Sequence, residues 1–202
     1  MEPKQQSPEW FKERSKRLTA SDFGSAAGLK KSYKSRQKLW RLKTGRDEPE
    51  EANEFMLFGS EHEPIALHAY EALSGNLVDD CPLILHPDYS FLGSSPDGIV
   101  DSILCLEIKC RAREPHESIT DQFVAQCIGQ LACTALKEIH FFSWSPYGQR
   151  LWRLTWSQEY WDWLFPFLEE FWEYVQKDIE PPRLKKKRQY DGKLNIELIE
   201  EQ

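Results

Sequence analysis

The sequence predicts a single mixed α/β domain in which a small β-sheet lies between helices. Its 202 residues suffice for one domain with a hydrophobic core, over residues 1–180, followed by a polar, partly basic tail over 181–202. Helical and extended patterns follow one another in the order helix, three strands, helix, strand, strand, helix. No run of about 18 apolar residues occurs, so we expect no membrane-spanning helix.

Charge is distributed unevenly along the chain. The net charge is −7, yet residues 1–46 carry thirteen Lys or Arg against four Asp or Glu, whereas residues 47–202 carry thirteen against twenty-nine. A basic first quarter on an acidic body indicates a face that contacts phosphates; a solvated basic arm is the alternative. The basic run Lys185–Arg188 suggests a nuclear localisation signal, an extra phosphate contact or a solvated tail. Of these three, we expect a solvated tail.

The cysteines indicate a reducing compartment. Their number, five, is odd and none are spaced as C-x-x-C, which argues for buried thiols and against a disulfide framework or a zinc ribbon. The N-terminal sequence MEPKQQSPEW lacks the apolar stretch of a signal peptide. We therefore expect a cytoplasmic location (the host cytoplasm if the protein is viral), with a nuclear location left open by the basic run.

The first part of the chain predicts two short helices after a loose lead-in over residues 1–9. SPEWFKERSKR has a helix cap at Ser7 and a proline at the first helical position, Pro8. TASDFGSAAG offers Thr19 and Ser21 as caps for the second helix. A basic loop, LKKSYKSRQKLW, then turns helical before a polar linker.

A longer helix is predicted over residues 58–76. Ile65, Ala69 and Leu73 follow one stripe at helical spacing, which we expect to face the core, and Gly75 is a plausible end. Extended segments and helices alternate after it, separated by turn residues. The strands are expected at 77–86, 91–100, 103–110, 138–144 and 149–156, and the helices at 118–136 and 157–177.

An acidic hairpin is the strongest candidate for a site. Residues two apart in a strand share a face, so Glu107 and Lys109 point one way, and Asp97 in the preceding segment can lie opposite Glu107. Two nearby carboxylates repel unless a cation lies between them, and hard oxygen ligands suit Mg²⁺ or Mn²⁺. A lysine beside them can assist a water that attacks a phosphodiester. The spacing alone also fits a solvated hairpin.

Five motifs in order resemble the PD-(D/E)xK nuclease superfamily, and within it the phage lambda-type exonuclease or YqaJ-type viral recombinase family. They run from Ser7 to Trp156: PEWFKERSKRLTASDF, FGSEHEPIALHAYE, SSPDG, LEIKC and FVAQCIGQL. The resemblance implies a restriction-endonuclease-like core. It also implies that Asp97, Glu107 and the carbonyl of Ile108 bind metal and that Lys109 serves the water.

The first motif is implied to bind the terminal 5′-phosphate of the digested strand. Trp10, Arg14 and the T-A-S sequence ending at Ser21 match the family, which assigns this role to Arg14 and Ser21; we place Ser95 of the SSPDG motif beside them. A guanidinium and a hydroxyl at a helix start form an anion pocket. The alternative is a surface arginine and a plain helix cap.

The second and fifth motifs are implied to complete the catalytic set. Glu63 takes the place of the family's glutamate near the metal; Glu61 is the rival, on roughly the opposite side of the helix. Gln126 takes the place of a glutamine that faces the site, and Gln130, four residues on, is a secondary candidate. A glutamine that only supports helix packing is the alternative.

The resemblance implies an enzyme that uses two Mg²⁺ ions, with Mn²⁺ as a substitute. It would digest the 5′-ended strand of linear double-stranded DNA and leave 3′ single-stranded tails for a strand-annealing partner protein, in a possible homotrimer ring. The alternatives are a restriction- or repair-type endonuclease on the same core, an iron–sulfur nuclease, and an inactive protein that binds DNA ends. A recognition element for the endonuclease, and cysteines flanking the core for the iron–sulfur nuclease, are missing from the sequence.

Overall fold

The computed structural model describes residues 5–202, so the first four residues of the expected lead-in lie outside the described part of the chain. Six helices and nine strands make up the fold. The helices are α1 Pro8–Ser15, α2 Phe23–Ala27, α3 Arg36–Lys43, α4 Glu54–Ser74, α5 Asp121–Thr134 and α6 Gln158–Gln176. The strands are β1 Leu18–Thr19, β2 Val78–Asp79, β3 Ile84–Leu85, β4 Leu92–Ser94, β5 Gly98–Val100, β6 Leu104–Cys110, β7 Glu138–Ser145, β8 Gly148–Thr155 and β9 Ile196–Glu201.

A six-stranded sheet in the order β2-β5-β6-β7-β8-β9 forms the centre of the fold. Strands β6 and β7 are parallel, with α5 as the crossover between them, and the other pairs are antiparallel. A three-stranded sheet, β1-β4-β3, lies apart from it. The predicted mixed α/β class, with a sheet flanked by helices, is confirmed.

The two faces of the large sheet bury different helices. Helix α5 is buried along nearly its whole length, in a core shared with α2 and α6. Helix α4 covers the other face, where its Ala66 and Tyr70 pack with Leu106, Ile108 and Phe142. The alternation of side chains along β6 therefore sends even-numbered residues to α4 and leaves Glu107 on the α5 side.

A proline divides the segment that we predicted as one strand over 91–100. Residues Leu92–Ser94 pair with β1 and β3 in the small sheet, whereas Gly98–Val100 pair with β2 and β6 in the large one. Pro96 lies between the two pieces and has no N–H to donate to a ladder, which accounts for the break. Asp97 is thus at the joint between the two sheets.

The apolar stripe predicted for α4 was wrong at its first position. Ile65 is 52% exposed, whereas Ala66 and Tyr70 are fully buried. Residues 63, 66 and 70 lie on one helix face, because three- and four-residue steps return to the same side. Glu63 therefore lies on the helix face that packs on the sheet. The buried residues of that face are Ala66 and Tyr70, and not Ile65.

The predicted polar tail also differs from the structure. Residues Ile196–Glu201 form β9, which pairs antiparallel with β8. Earlier in the tail, Arg188 forms an isolated parallel bridge with Leu29, and Lys185, Lys186 and Lys187 are exposed. The alternating polarity of IELIEE is weak evidence for a strand on its own, since a sheet edge buries little of it.

The cysteines agree with the prediction of buried thiols. Cys105, Cys127 and Cys133 lie in the interior. Among the described residues, none of the helices combines the length and apolarity needed to cross a bilayer.

Candidate active site

The β5–β6 hairpin places the two predicted carboxylates opposite each other. Gly98 pairs with Leu106, and the Asp97 N–H donates to the Leu106 carbonyl at 2.9 Å, so Asp97 faces Glu107 across the ladder. The Ile108 N–H donates to Asp97 Oδ2 at 2.6 Å. The connection between the two strands has three residues, 101–103, because Val100 pairs with Leu104. Asp101 and Ser102 both have positive φ, and the Ile103 N–H donates to the Val100 carbonyl at 2.9 Å, which closes a tight turn.

Glu107 is the most enclosed of the acidic groups, with 2% of its surface exposed. Gln126 Nε2 donates to Glu107 Oε1 at 2.6 Å and Gln130 Nε2 donates to Glu107 Oε2 at 2.5 Å. The Lys109 ammonium forms an ion pair with the same carboxylate. The four-residue spacing on α5 puts both amides on one face of the helix, directly over the strand.

The electrostatics of the site show an excess of buried negative charge. Burial and then the Glu107 charge raise the pKa of Asp97 well above its usual range, and the same two causes raise the pKa of Glu63. Burial acts to lower the pKa of Lys109, but Glu107 and Asp97 outweigh it and the pKa is raised. Carboxylates that resist ionisation beside a firmly protonated lysine are typical of a cation-binding or catalytic site.

A second cluster beside the carboxylates contains the predicted anion pocket. Arg14 Nη2 donates to Ser21 Oγ at 3.1 Å, and its guanidinium lies over the Trp10 ring, 4.3 Å from the centroid. Trp10 Nε1 in turn donates to Ser95 Oγ at 3.1 Å. Burial lowers the pKa of Arg14. A guanidinium held on an indole face and pointing at hydroxyls is well placed to receive a phosphate.

The two clusters open into one cavity of about 180 Å³. Ile108 does not line the cavity: its side chain lies in the core under α4, and its N–H donates to Asp97. Glu61 is exposed and also lies outside the lining. The structure thus brings together nearly every predicted site side chain. Those that line the cavity are Arg14, Ser21, Glu63, Ser95, Asp97, Glu107, Lys109, Gln126 and Gln130.

The donor set fits a hard divalent cation that also touches a substrate phosphate. Asp97 and Glu107 supply carboxylate oxygens, and a cation among them would relieve the repulsion that raises the pKa of Asp97. The buried Gln130 Oε1 has no hydrogen-bond partner among the described residues. Within residues 5–202, no three His, Cys, Asp or Glu side chains form a complete metal cage.

Sequence reasoning gave too little weight to three residues of this site. Gln130 holds Glu107 as closely as Gln126 does. Trp10 links the anion pocket to Ser95. Gly129 lets α5 approach α2, because a Cβ there would lie 2.5 Å from the Phe23 ring. The glycine between two glutamines in QCIGQL was the available signal for this close approach.

The YqaJ-like viral recombinase domain matches residues 9–137, well over half of the chain. The chain belongs to this family. The predicted family resemblance is therefore confirmed, and the match covers the anion pocket, both carboxylate strands and the glutamine helix.

Two solved structures are similar to this one. An alkaline exonuclease from Laribacter hongkongensis is 26% identical, with a TM-score of 0.73 over 86% of this chain and 95% of that chain. A phage-related exonuclease from Haemophilus somnus is 13% identical, with a TM-score of 0.64 over 80% of this chain and 94% of that chain, and shows the shared fold alone. The predicted enzyme class, a deoxyribonuclease, is confirmed by the family match and by the likeness to the alkaline exonuclease.

A curated relative is 33% identical over 95 residues: uncharacterized protein R354 of Acanthamoeba polyphaga mimivirus. The matched region is 47% of this chain and 17% of that protein. The relative is thus a much longer protein that contains a segment similar to this chain.

Proposed function

We propose that the protein is a divalent-metal-dependent deoxyribonuclease that digests linear double-stranded DNA from its ends in the 5′-to-3′ direction. The observation that carries this proposal is the convergence, in one cavity, of a buried carboxylate pair with its lysine and of an arginine–serine anion pocket. The first group suits phosphodiester hydrolysis, and the second suits a phosphate at a strand end.

Each part of the site has a separate task in this proposal. Asp97, Glu107 and the Ile108 carbonyl would hold the metal, with Glu63 near them, and Mg²⁺ is the ion that suits these oxygens. The bound cation would supply Lewis-acid stabilisation of the phosphate charge. Gln126 and Gln130 orient the Glu107 carboxylate through their amide N–H groups. Lys109, positively charged beside Glu107, orients the attacking water and stabilises the charge that develops on the phosphate.

The anion pocket sets the polarity. Arg14 and Ser21, with Ser95 next to them, would bind the terminal 5′-phosphate, so that the next phosphodiester of the same strand lies at the carboxylates. Digestion of one strand leaves a 3′ single-stranded tail, a product suited to an annealing protein. The family resemblance also implies a homotrimer ring that encloses the duplex, and such a ring is compatible with this proposal.

Linear duplexes with 5′-phosphate, 5′-hydroxyl or hairpin-closed ends, incubated with Mg²⁺ or Mn²⁺, test the proposal. We expect fast digestion of 5′-phosphorylated ends, slower digestion of 5′-hydroxyl ends and none of closed ends, with a chelator stopping all of it. Degradation of closed circles at the rate of linear DNA would reject an exonuclease in favour of an endonuclease.

Arg14→Ala and Lys109→Ala are the diagnostic variants. Loss of Arg14 should remove the preference for a 5′-phosphate and raise KM more than it lowers kcat, whereas loss of Lys109 should lower kcat on every substrate. Equal rates of the unaltered protein on 5′-phosphate and 5′-hydroxyl ends would contradict the role of the anion pocket.

A further inference from the structure

Most positive charges of residues 1–46 have an acidic partner. Lys38, Arg41, Lys43 and Arg46 form ion pairs at 2.6–3.4 Å, and Lys16, Arg17, Lys34 and Arg36 form ion pairs as well. The basic composition of residues 1–46 therefore overstates the net positive charge of this region. Lys30 and Lys31, in the loop between α2 and α3, are exposed and form no ion pair within residues 5–202.

The basic run of the tail is held against this same loop. The Arg188 N–H donates to the Gly28 carbonyl at 3.1 Å, and Lys30 Nζ donates to the Gln189 side chain at 2.5 Å. The Arg188 guanidinium donates to the Ala27 carbonyl at 3.1 Å and to Glu170 at 3.0 Å. Arg188 thus acts as an anchor.

The anchored segment carries three free ammonium groups. Lys185, Lys186 and Lys187 are exposed, with no acidic partner in the described part of the chain. Together with Lys30 and Lys31 they form a surface that we call the lysine patch. Two stretches about 150 residues apart in sequence contribute to it, and neither would form it alone.

The lysine patch lies close to the active site. The loop that begins at Leu29 reaches Tyr33, whose ring packs edge-on against Phe123 with centroids 6.0 Å apart. Lys109 Nζ lies over the same Phe123 ring, 5.5 Å from its centroid. The four chain steps from Leu29 to Tyr33 span at most about 14 Å. With the two ring contacts, of 6.0 Å and 5.5 Å, the path from the patch to Lys109 Nζ is about 25 Å long. A strand of B-DNA carries one phosphate per 3.4 Å of helix axis, so this path corresponds to about seven nucleotides.

We propose that the lysine patch is a second phosphate-binding surface, which contacts the sugar–phosphate backbone of the nucleic acid about seven nucleotides from the active site. The inference rests on the proposed function for its ligand, but it adds a site outside the catalytic cavity. Five ammonium groups that have no acidic partner in the described part of the chain, on a short, anchored surface, attract successive phosphates without reading sequence. The patch would retain the substrate between successive cleavage steps.

Measurement of DNA binding in the absence of divalent cations tests the lysine patch separately from hydrolysis. The probes are DNA hairpins labelled in the loop, with stems of about 4 or about 16 base pairs, and single strands of the longer length. The variant is Lys186→Ala with Lys187→Ala. Its matched control is Lys137→Ala with Lys177→Ala, two lysines exposed elsewhere on the molecule. The readout is the slope of log Kd against log salt, from fluorescence anisotropy.

We expect the Lys186/Lys187 variant to lower the slope by about 2 on the long stem, since each duplex phosphate contact contributes about 0.9. On the short stem it should match the unaltered protein, and the control should match it on both stems. If the variant lowers the salt slope on the long stem, the patch binds the duplex. If it lowers the slope only on single strands, the patch binds the single-stranded product.

An unchanged slope on both the long stem and the single strands would overturn the inference. An equal decrease of the slope on short and long stems would also overturn it, because a decrease that does not depend on stem length would come from the catalytic cavity or from the fold. If the unaltered protein binds with this slope yet hydrolyses nothing with any divalent metal, the proposed function fails while the lysine patch stands.

Discussion

The catalytic cavity, at about 180 Å³, is smaller than a second cavity of about 450 Å³ between α5, α6 and the loop after β3. Most of the residues that line the larger one have aromatic or aliphatic side chains, and His86 is stacked on Trp161 at a centroid distance of 5.6 Å. Its two carboxylates, Asp88 and Asp162, are exposed to solvent. Glu107, in the smaller cavity, is almost completely buried.

The difference indicates that burial of charge, and not volume, distinguishes the proposed active site from the larger cavity. An exposed carboxylate ionises at little cost because water solvates it, whereas a buried one needs hydrogen bonds or a cation. In the smaller cavity three side chains hold Glu107. The larger cavity has one lysine, Lys137, and it lies over the Trp156 ring, 5.5 Å from the centroid.

Substitution of the lysine in each cavity by alanine is the test with the largest expected effect. We expect Lys109→Ala to lower kcat by about a thousandfold, because a charge aimed at the reacting phosphate is lost. Lys137→Ala should leave kcat unchanged. Rates of release of nucleotides from a 5′-phosphorylated duplex measure both. A large loss in the Lys137 variant would bring the larger cavity into the reaction.

The glutamines around Glu107 should give the next largest effect. Gln130→Leu removes the N–H that holds Glu107 Oε2, and we expect about a 10- to 100-fold loss in metal affinity or activity. Gln158→Leu, at the rim of the larger cavity, is the matched control. Titration with Mn²⁺ gives the affinity. Equal affinities in the two variants would show that Gln130 supports only packing.

Substitutions in the larger cavity should lower the stability of the protein and leave its catalytic rate unchanged. Trp161→Ala removes a side chain that is 7% exposed, and we expect the free energy of unfolding to fall by about 3 kcal/mol. The activity of the fraction that remains folded should stay near that of the unaltered protein. Urea unfolding and active-site-normalised rates separate the two. A fall in kcat without a fall in stability would contradict the comparison.

The smallest predicted effect concerns pH and stability. Burial, aided by Arg111 and Lys109, lowers the pKa of His116 from 6.5 to about 4. The unfolded chain therefore takes up this proton first, so the stabilisation is present above pH 6.5 and is lost as the pH falls toward 4. His116→Asn should reduce the drop in urea midpoint between pH 7 and pH 5. An identical drop would assign the acid sensitivity to other groups.

The sequence was most informative where chemistry and strand periodicity agree. Glu107 and Lys109 share a face in any extended segment, and the short connection to Asp97 leaves few other registers. The two clusters of the site could therefore be expected from residues 93–110 and from the spacing of Trp10, Arg14 and Ser21. Their meeting in one cavity depends on tertiary packing and could not be derived from spacing.

The errors have physical causes in the tertiary structure. Ile65 fits an apolar stripe in sequence, but the sheet contacts the neighbouring face of α4. The lysines of the tail are exposed, as expected, but the anchoring of the neighbouring Arg188 to Ala27, some 160 positions earlier, was not foreseen. Contacts of that separation leave no periodic pattern in a single sequence.

Strand β9 has a consequence for how molecules meet one another. It covers β8, so the outer border of the large sheet belongs to the last residues of the chain. That border carries Glu197, Glu200 and Glu201, of which Glu197 and Glu201 form ion pairs with Arg153 and Arg150 of β8. Removal of residues 196–201 should leave both arginines without these partners and uncover the backbone edge of β8. An uncovered edge is a template for pairing with another molecule, so association at high concentration would follow.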